Sequence, residues 1–229
     1  MKHLLKYNLF ILLTLLLIST QSFASTKKTT AEHGKMTAEQ AVESLKDGNK
    51  RYLRLKLINT DYDKQIDKNK KEQHPFAAVL SCMDSRVPPE ILFDQGIGNI
   101  FVVREAGNVI APNTLGSLEY AVNVKKVALV VVLGHSGCGA VAAAVDGVDL
   151  QMYQNLDQLI RQIKVAIHPC KENIYQCVEK NNIKLSIAKI LKNSKTIAEA
   201  VRNGEVKIIG AYYDIETGVV TFDKEYTSE

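Results

Sequence analysis

Four short runs of the chain are apolar at nearly every position: Phe76–Ser81, Ile100–Arg104, Val127–Gly134 and Val206–Tyr212. Each is bounded by turn signals, as strands buried on both faces are. The intervening stretches follow a helical period, at about Asn113–Asn123, Cys138–Val145, Gln154–Ile167, Lys171–Lys192 and Ser194–Asn203. This alternation predicts an α/β fold, a mainly parallel four-stranded sheet with helices on both faces. Glu216-Thr217-Gly218 separates the last run from Val219–Phe222, which predicts an antiparallel partner strand at the sheet edge. Ahead of the sheet, Thr37 and Gln40 have the spacing of a capping box. Ala41, Leu45, Tyr52 and Leu55 follow at roughly helical spacing, giving an N-terminal helical arm. The polar stretch Asn59 to Gln73 reads as a connection, with Lys64 to Lys71 as a solvated loop.

The start of the chain has a different pattern. Lys2, His3 and Lys6 precede an apolar run from Leu9 to Ile18, and Ser22-Phe23-Ala24 closes it with small residues. That is the pattern of a cleavable signal peptide over residues 1–24, cut after Ala24. The alternative, an uncleaved anchor, calls for roughly 20 apolar residues, and the run is shorter. Residues 25–35 read as a disordered tail, leaving 36–229 as one domain. A chain of 229 residues, 46% hydrophobic and 24% charged, can bury one sizeable core. Loss of Lys2 and Lys6 takes the formal charge from +4 to +2. That balance, with no basic patch, argues against nucleic acid as a partner. The expected location is periplasmic or secreted, without a stable membrane anchor after cleavage.

The candidate chemistry gathers where two strands end. Cys82 lies just past the first strand, and His135 and Cys138 follow the third. Loops at the carboxyl ends of neighbouring strands converge on the crevice where open α/β sheets bind ligands. Two thiolates and an imidazole make a zinc site with three protein ligands, leaving a fourth position for water or substrate. The spacing alone is weak, and three buried groups without metal would share it. Cys138, however, follows Gly137 at a helix start, where the dipole favours a thiolate, and Gly139 leaves a backbone N–H open to an anion. Asp84 and Arg86 sit two and four residues past Cys82. Asp84 can hydrogen-bond a zinc-bound hydroxide or become the fourth ligand in a closed state, and Arg86 can decide which by holding it bidentately. An ordinary loop salt bridge is the other reading of the pair.

Cys82-Met83-Asp84-Ser85-Arg86 together with His135-Ser136-Gly137-Cys138 resembles the signature pair of the β-class carbonic anhydrases. Phe101 to Asn108, Gly116 to Val122, Val131 to Gly134 and Gly48 to Tyr52 resemble further blocks of that family, in the expected order, from about Thr37 to Phe222. The resemblance implies zinc on Cys82, His135 and Cys138, with Asp84 and Arg86 as the catalytic pair. It implies reversible hydration of carbon dioxide to bicarbonate by attack of zinc-bound hydroxide. Gln73 matches a substrate-binding glutamine of the plant-type branch, and Phe101 and Tyr120 match its apolar pocket, although core packing would account for both aromatics. Gly139 would supply an N–H to the developing oxygen charge. The family's active site spans a dimer interface, so a homodimer or tetramer is implied, with Gln73 reaching the partner's zinc. The chain has no Trp, which speaks against the non-catalytic bicarbonate site of another branch.

His33, His74 and His168 are candidate proton shuttles by type alone. Cys170 and Cys177 suit a disulfide in an exported protein, but on one continuous helix their Cα atoms would be about 10 Å apart, too far to bridge. A bond therefore requires a break, and Pro169 offers one nearby. Competing functions are hydrolysis of carbonyl sulfide or carbon disulfide on the same fold, and a non-catalytic zinc module, which would be expected to lose Asp84 or Arg86. A thiol redox protein fits least, since no Cys-x-x-Cys pair exists.

Overall fold

The computed structural model describes residues 36–226, so the signal peptide and tail expected over residues 1–35 lie outside the described residues. Helix α1 (Ala38–Leu53) opens on the expected capping box. The Thr37 side chain accepts from the Gln40 N–H, and the Gln40 side chain accepts from the Thr37 N–H. Ala41 and Leu45 are buried on its inner face, but Leu55 is not part of it: the helix stops at Leu53, and Leu55 is exposed with φ of 54°. The polar connection contains a second helix, α2 (Tyr62–Asn69), N-capped by Asp61 on the Lys64 N–H. None of its residues is buried, so no apolar stripe marked it.

The sheet comprises β1 (Ala77–Ser81), β2 (Ile100–Arg104), β3 (Leu129–His135), β4 (Lys207–Tyr213) and β5 (Val220–Tyr226), in the order β2-β1-β3-β4-β5. The first four are parallel and β5 runs antiparallel at the edge, as the pattern predicted. Of the four parallel strands, β2 departs most from the picture of strands buried on both faces. It is the other edge, and its residues are half-buried or exposed.

Alternate residues of the strands feed two layers. Ala78, Leu80, Val130, Val132 and Ile208 pack under α4 (Pro112–Glu119), α7 (Ile174–Asn193) and α8 (Lys195–Arg202). Ala77, Val79, Leu129, Val131 and Ile209 pack against α1 and the one-turn α3 (Pro89–Leu92). Helix α4 runs on into a wider turn over Tyr120–Val124. A third apolar group, around the carboxyl ends of β1 and β3, joins α5 (Gly139–Val145) and α6 (Gln154–Lys164) to the start of α7.

Helix α7 begins at Ile174, later than the sequence pattern suggested, because Asn173 is left-handed at φ 45°. That break falls between Cys170 and Cys177, whose Cα atoms are 5.8 Å apart and which are disulfide-bonded. Among the described residues no helix is long and apolar enough to cross a membrane.

Candidate metal centre

The sheet order places the centre. The chain leaves β1 to one side for β2 and returns to the other side for β3, so the two strands part at a switch point where a crevice opens. Ser81 is level with Leu133 in the β1–β3 ladder. Cys82, the next residue, therefore emerges beside His135, which ends β3. Gly137, at φ 64°, turns the chain so that Cys138 becomes the N-cap of α5. All three are buried, and their ligand atoms lie within 4.8 Å of one another.

The two ring nitrogens of His135 have different surroundings. Nδ1 lies 2.9 Å from the Ser136 carbonyl oxygen, which can only accept, so Nδ1 carries the proton. Nε2 then presents a lone pair, and it is buried without a hydrogen-bond partner among the described residues. An orphaned imidazole nitrogen beside two sulfurs, with the ring oriented by a backbone carbonyl, is the donor set a zinc-like ion takes.

The thiols are unequal. Cys82 is drawn down to about 4, first by the hydrogen bond from the Cys138 thiol, against burial, and further by His135 and the amides of Asp84 and Gly107. Those amides lie 3.4 and 3.3 Å from its sulfur. Cys138 is driven upward by the same contact and by burial, so Cys82 is the first to become thiolate. Burial works to lower His135, but the neighbouring Cys82 sulfur raises it overall. Gly107 reaches Cys82 only because it is glycine. Its φ is 62°, and a Cβ there would stand 2.6 Å from Ile163 Cδ1.

Asp84 is not among the grouped ligand atoms. Arg86 holds it bidentately, Nε to Oδ1 at 2.9 Å and Nη2 to Oδ2 at 2.7 Å, while the Arg86 N–H also donates to Oδ1 at 3.0 Å. This pairing keeps the Asp84 carboxyl at about 2, fully ionised at neutral pH. Arg86 Nη2 also donates to the Gly137 carbonyl, tying the two ligand loops together.

Of the other expected residues, Gly139 is exposed at the first turn of α5 with open space before it. Phe101 and Tyr120 meet edge to face at 6.1 Å and line one groove beside β2, with Arg104 and Pro112. Gln73 is exposed before the amino end of β1, and the whole strand separates it from Cys82. Within one chain it is not brought to the centre. His168 and His74 are exposed, and neither belongs to the ligand group; His33 lies outside the described residues.

Sequence reasoning gave no role to two groups that the structure puts here. Arg104 donates from Nε to the Cys82 carbonyl at 3.2 Å and from Nη2 to the Asp84 carbonyl, clamping the loop between ligand and acid. Glu179, buried on α7, accepts from the Cys138 N–H at 3.2 Å and from the Tyr212 hydroxyl at 2.7 Å. Arg104 stood inside a family-like block as an ordinary strand end, and Glu179 looked like any polar residue of a helix.

A family model for carbonic anhydrase matches residues 77–220. A carbonic anhydrase of Mycolicibacterium smegmatis is 37% identical over 79% of this chain and 90% of its own length. Carbonic anhydrase 2 of Mycobacterium tuberculosis is 34% identical over 78% and 89%. Among solved structures, a tetrameric β-carbonic anhydrase of Sordaria macrospora superposes with a TM-score of 0.62 at 25% identity, covering 78% of this chain and 100% of that one. With its buried Cys-His-Cys group at the β1–β3 switch point, the chain belongs to the β-class carbonic anhydrase family.

Proposed function

We propose that the chain is a zinc enzyme that interconverts carbon dioxide and bicarbonate, with Cys82, His135 and Cys138 holding the metal. The observation that carries this reading is the buried two-sulfur, one-nitrogen group with its orphaned His135 Nε2, beside an ionised and pre-oriented Asp84. When bound, zinc supplies a Lewis acid that makes water a nucleophile near neutral pH.

The chain's own residues do the rest. Asp84 accepts a hydrogen bond from the attacking water and orients it. Arg86 occupies both Asp84 oxygens, which keeps the carboxylate charged; a closed state with Asp84 as fourth ligand would first have to break that fork. Gly139 is exposed at the first turn of α5, where its N–H can meet negative charge as it develops on the substrate oxygen. Carbon dioxide is apolar and uncharged, so the Phe101–Tyr120 groove suits it better than an ion-pairing site.

The assembly we propose is a homodimer or tetramer in which Gln73 of one subunit completes the other's site. The exposed position of Gln73, the open β2 edge and the tetrameric Sordaria relative support it. Export to the periplasm or beyond is supported by the Cys170–Cys177 disulfide, since such bonds persist in oxidising compartments.

Stopped-flow hydration of carbon dioxide, with metal content measured alongside, tests the activity. Zinc-dependent turnover should be lost on chelation, return with zinc and fall to background in Cys82→Ser. Two thiolates offset more metal charge than imidazoles do, so the rate should climb from neutral to alkaline pH. Fully zinc-loaded protein that is inactive on carbon dioxide at every pH overturns the proposal.

A further inference from the structure

Helix α7 is buried around much of its surface, yet three polar residues on it, Glu179, Asn182 and Ser186, are 4%, 1% and 1% exposed. Their spacing of three and four residues sets them in one stripe along the helix. Each touches the backbone of Cys138 or of the Gly107–Asn108 pair. Glu179 Oε1 accepts from the Cys138 N–H. Asn182 Nδ2 donates to the Gly107 carbonyl at 2.6 Å, and Ser186 Oγ donates to the Asn108 carbonyl at 2.8 Å. Gly107 in turn gives its N–H to Cys82 Sγ. Both sulfurs are thus held from one helix, Cys138 through its own amide and Cys82 through the 107–108 backbone.

Core packing alone would not place these residues here. Buried polar side chains cost stability unless partnered, and apolar residues at the same positions would cover the sheet as Ile183, Ile187 and Ile190 do. We infer that Glu179, Asn182 and Ser186 are positioning residues of the metal centre, an outer brace on α7 that fixes the Cys138 amide and the Gly107–Asn108 carbonyls and through them the two thiolates. The inference rests on Cys82, His135 and Cys138 being the zinc ligands. The helix is itself anchored two residues before Glu179 by the Cys170–Cys177 disulfide, to whose sulfurs Asn181 Nδ2 lies at 3.2 and 3.5 Å.

The test is zinc affinity by chelator competition on the full protein, together with the thiolate-to-cobalt absorption of the cobalt-substituted form. Asn182→Leu keeps the volume and loses the donor; Ser186→Ala loses the hydroxyl with little change in volume. Each should weaken zinc by about 10- to 100-fold and shift the cobalt band. Glu179→Gln, which keeps an acceptor for the Cys138 N–H, should hold affinity within a few-fold. Ile187→Ala, a cavity on the sheet-facing side of the same helix, should lower thermal stability and leave zinc affinity and the cobalt band unchanged.

Wild-type affinity and spectrum in both Asn182→Leu and Ser186→Ala overturn the brace, as does an equal loss of affinity in Ile187→Ala, which would mean that any weakening of α7 suffices. Should Asn182→Leu fail to fold, Ser186→Ala decides alone. If the wild-type protein binds zinc no better than Cys82→Ser, the ligand assignment itself has failed, a result distinct from either of those.

Discussion

At the scale of single residues, the most informative groups are buried polar side chains with a countable set of partners. Asn49 on α1 donates to the Leu92 and Gly218 carbonyls and accepts from the Val220 N–H, linking the arm to α3 and to the β4–β5 turn. Two residues on, Arg51 meets Asp94, whose side chain is 2% exposed and also accepts from the Ile58 and Asn59 amides. Burial pushes the Asp94 carboxyl upward, but Arg51 and the two amides outweigh it and leave it below its ordinary value of 3.8. A carboxyl lowered in the folded state binds fewer protons than in the unfolded one. Its contribution is therefore complete above about pH 4 and is lost as pH falls through the folded value. Asp94→Asn should cost about 2 kcal/mol at neutral pH, the loss of hydrogen bonds to a charged group. It should also unfold with a shallower acid dependence than the wild type below pH 4. Urea melts at pH 7, 4 and 3 check both; parallel pH profiles would show that another carboxyl sets the acid limit. The grouping of Cys82, His135 and Cys138 was legible because Cys and His after apolar strands are chemically specific. Glu179, Asn182 and Ser186 were not, because three polar residues spaced along a helix read as a solvated face until the fold turns that face inward.

At the scale of elements, a strand or helix was legible in proportion to the apolar surface it buries. The interior strands announced themselves, whereas α2, with no buried residue, left only its Asp61 cap and its Asp-Lys pairs as a signal. Exposed pairs of that kind are each worth little, typically below about 1 kcal/mol. Leu55 failed in the opposite sense, an apolar residue in register with the arm but beyond its end. The break that permits the Cys170–Cys177 bond came from the left-handed Asn173, where sequence pointed to Pro169. An asparagine tolerates that conformation without advertising it as glycine would. Closing this short loop should stabilise the protein by about 2–3 kcal/mol through the unfolded chain. Ile183, Ile187 and Ile190, each worth about 1.5–3 kcal/mol of burial, hold the rest of α7 independently. The double variant Cys170→Ser, Cys177→Ser should accordingly fold with a lower melting temperature and keep its zinc. Loss of the metal at full folding would mean that the disulfide, and not the isoleucines, seats the helix.

At the scale of the whole molecule, the sheet order explains why a single chain gathers Cys82, His135 and Cys138 but leaves Gln73 apart from them. Cys82, His135 and Cys138 share the carboxyl end of the sheet, while Gln73 precedes β1 at the opposite end and is exposed. Five strand residues at about 3.3 Å each stand between them, and no side chain spans that length. If Gln73 serves catalysis, it must serve a neighbour's centre. In a two-fold dimer the same exchange occurs twice, so each site takes its metal from one chain and its glutamine from the other. Gln73→Ala alone should keep zinc and lose most of its turnover. Cys82→Ser alone should lose both. Unfolded together and refolded as an equal mixture, about half the dimers would pair the two variants. Each mixed dimer would hold one intact site, formed by the Gln73→Ala chain's metal and the Cys82→Ser chain's glutamine. Activity should then recover to about a quarter of the wild-type value, from two proteins that are each nearly inactive. Recovery no greater than the average of the two separate variants, with mixed dimers confirmed by mass, would confine Gln73 to its own chain and leave its substrate role without a route to the metal.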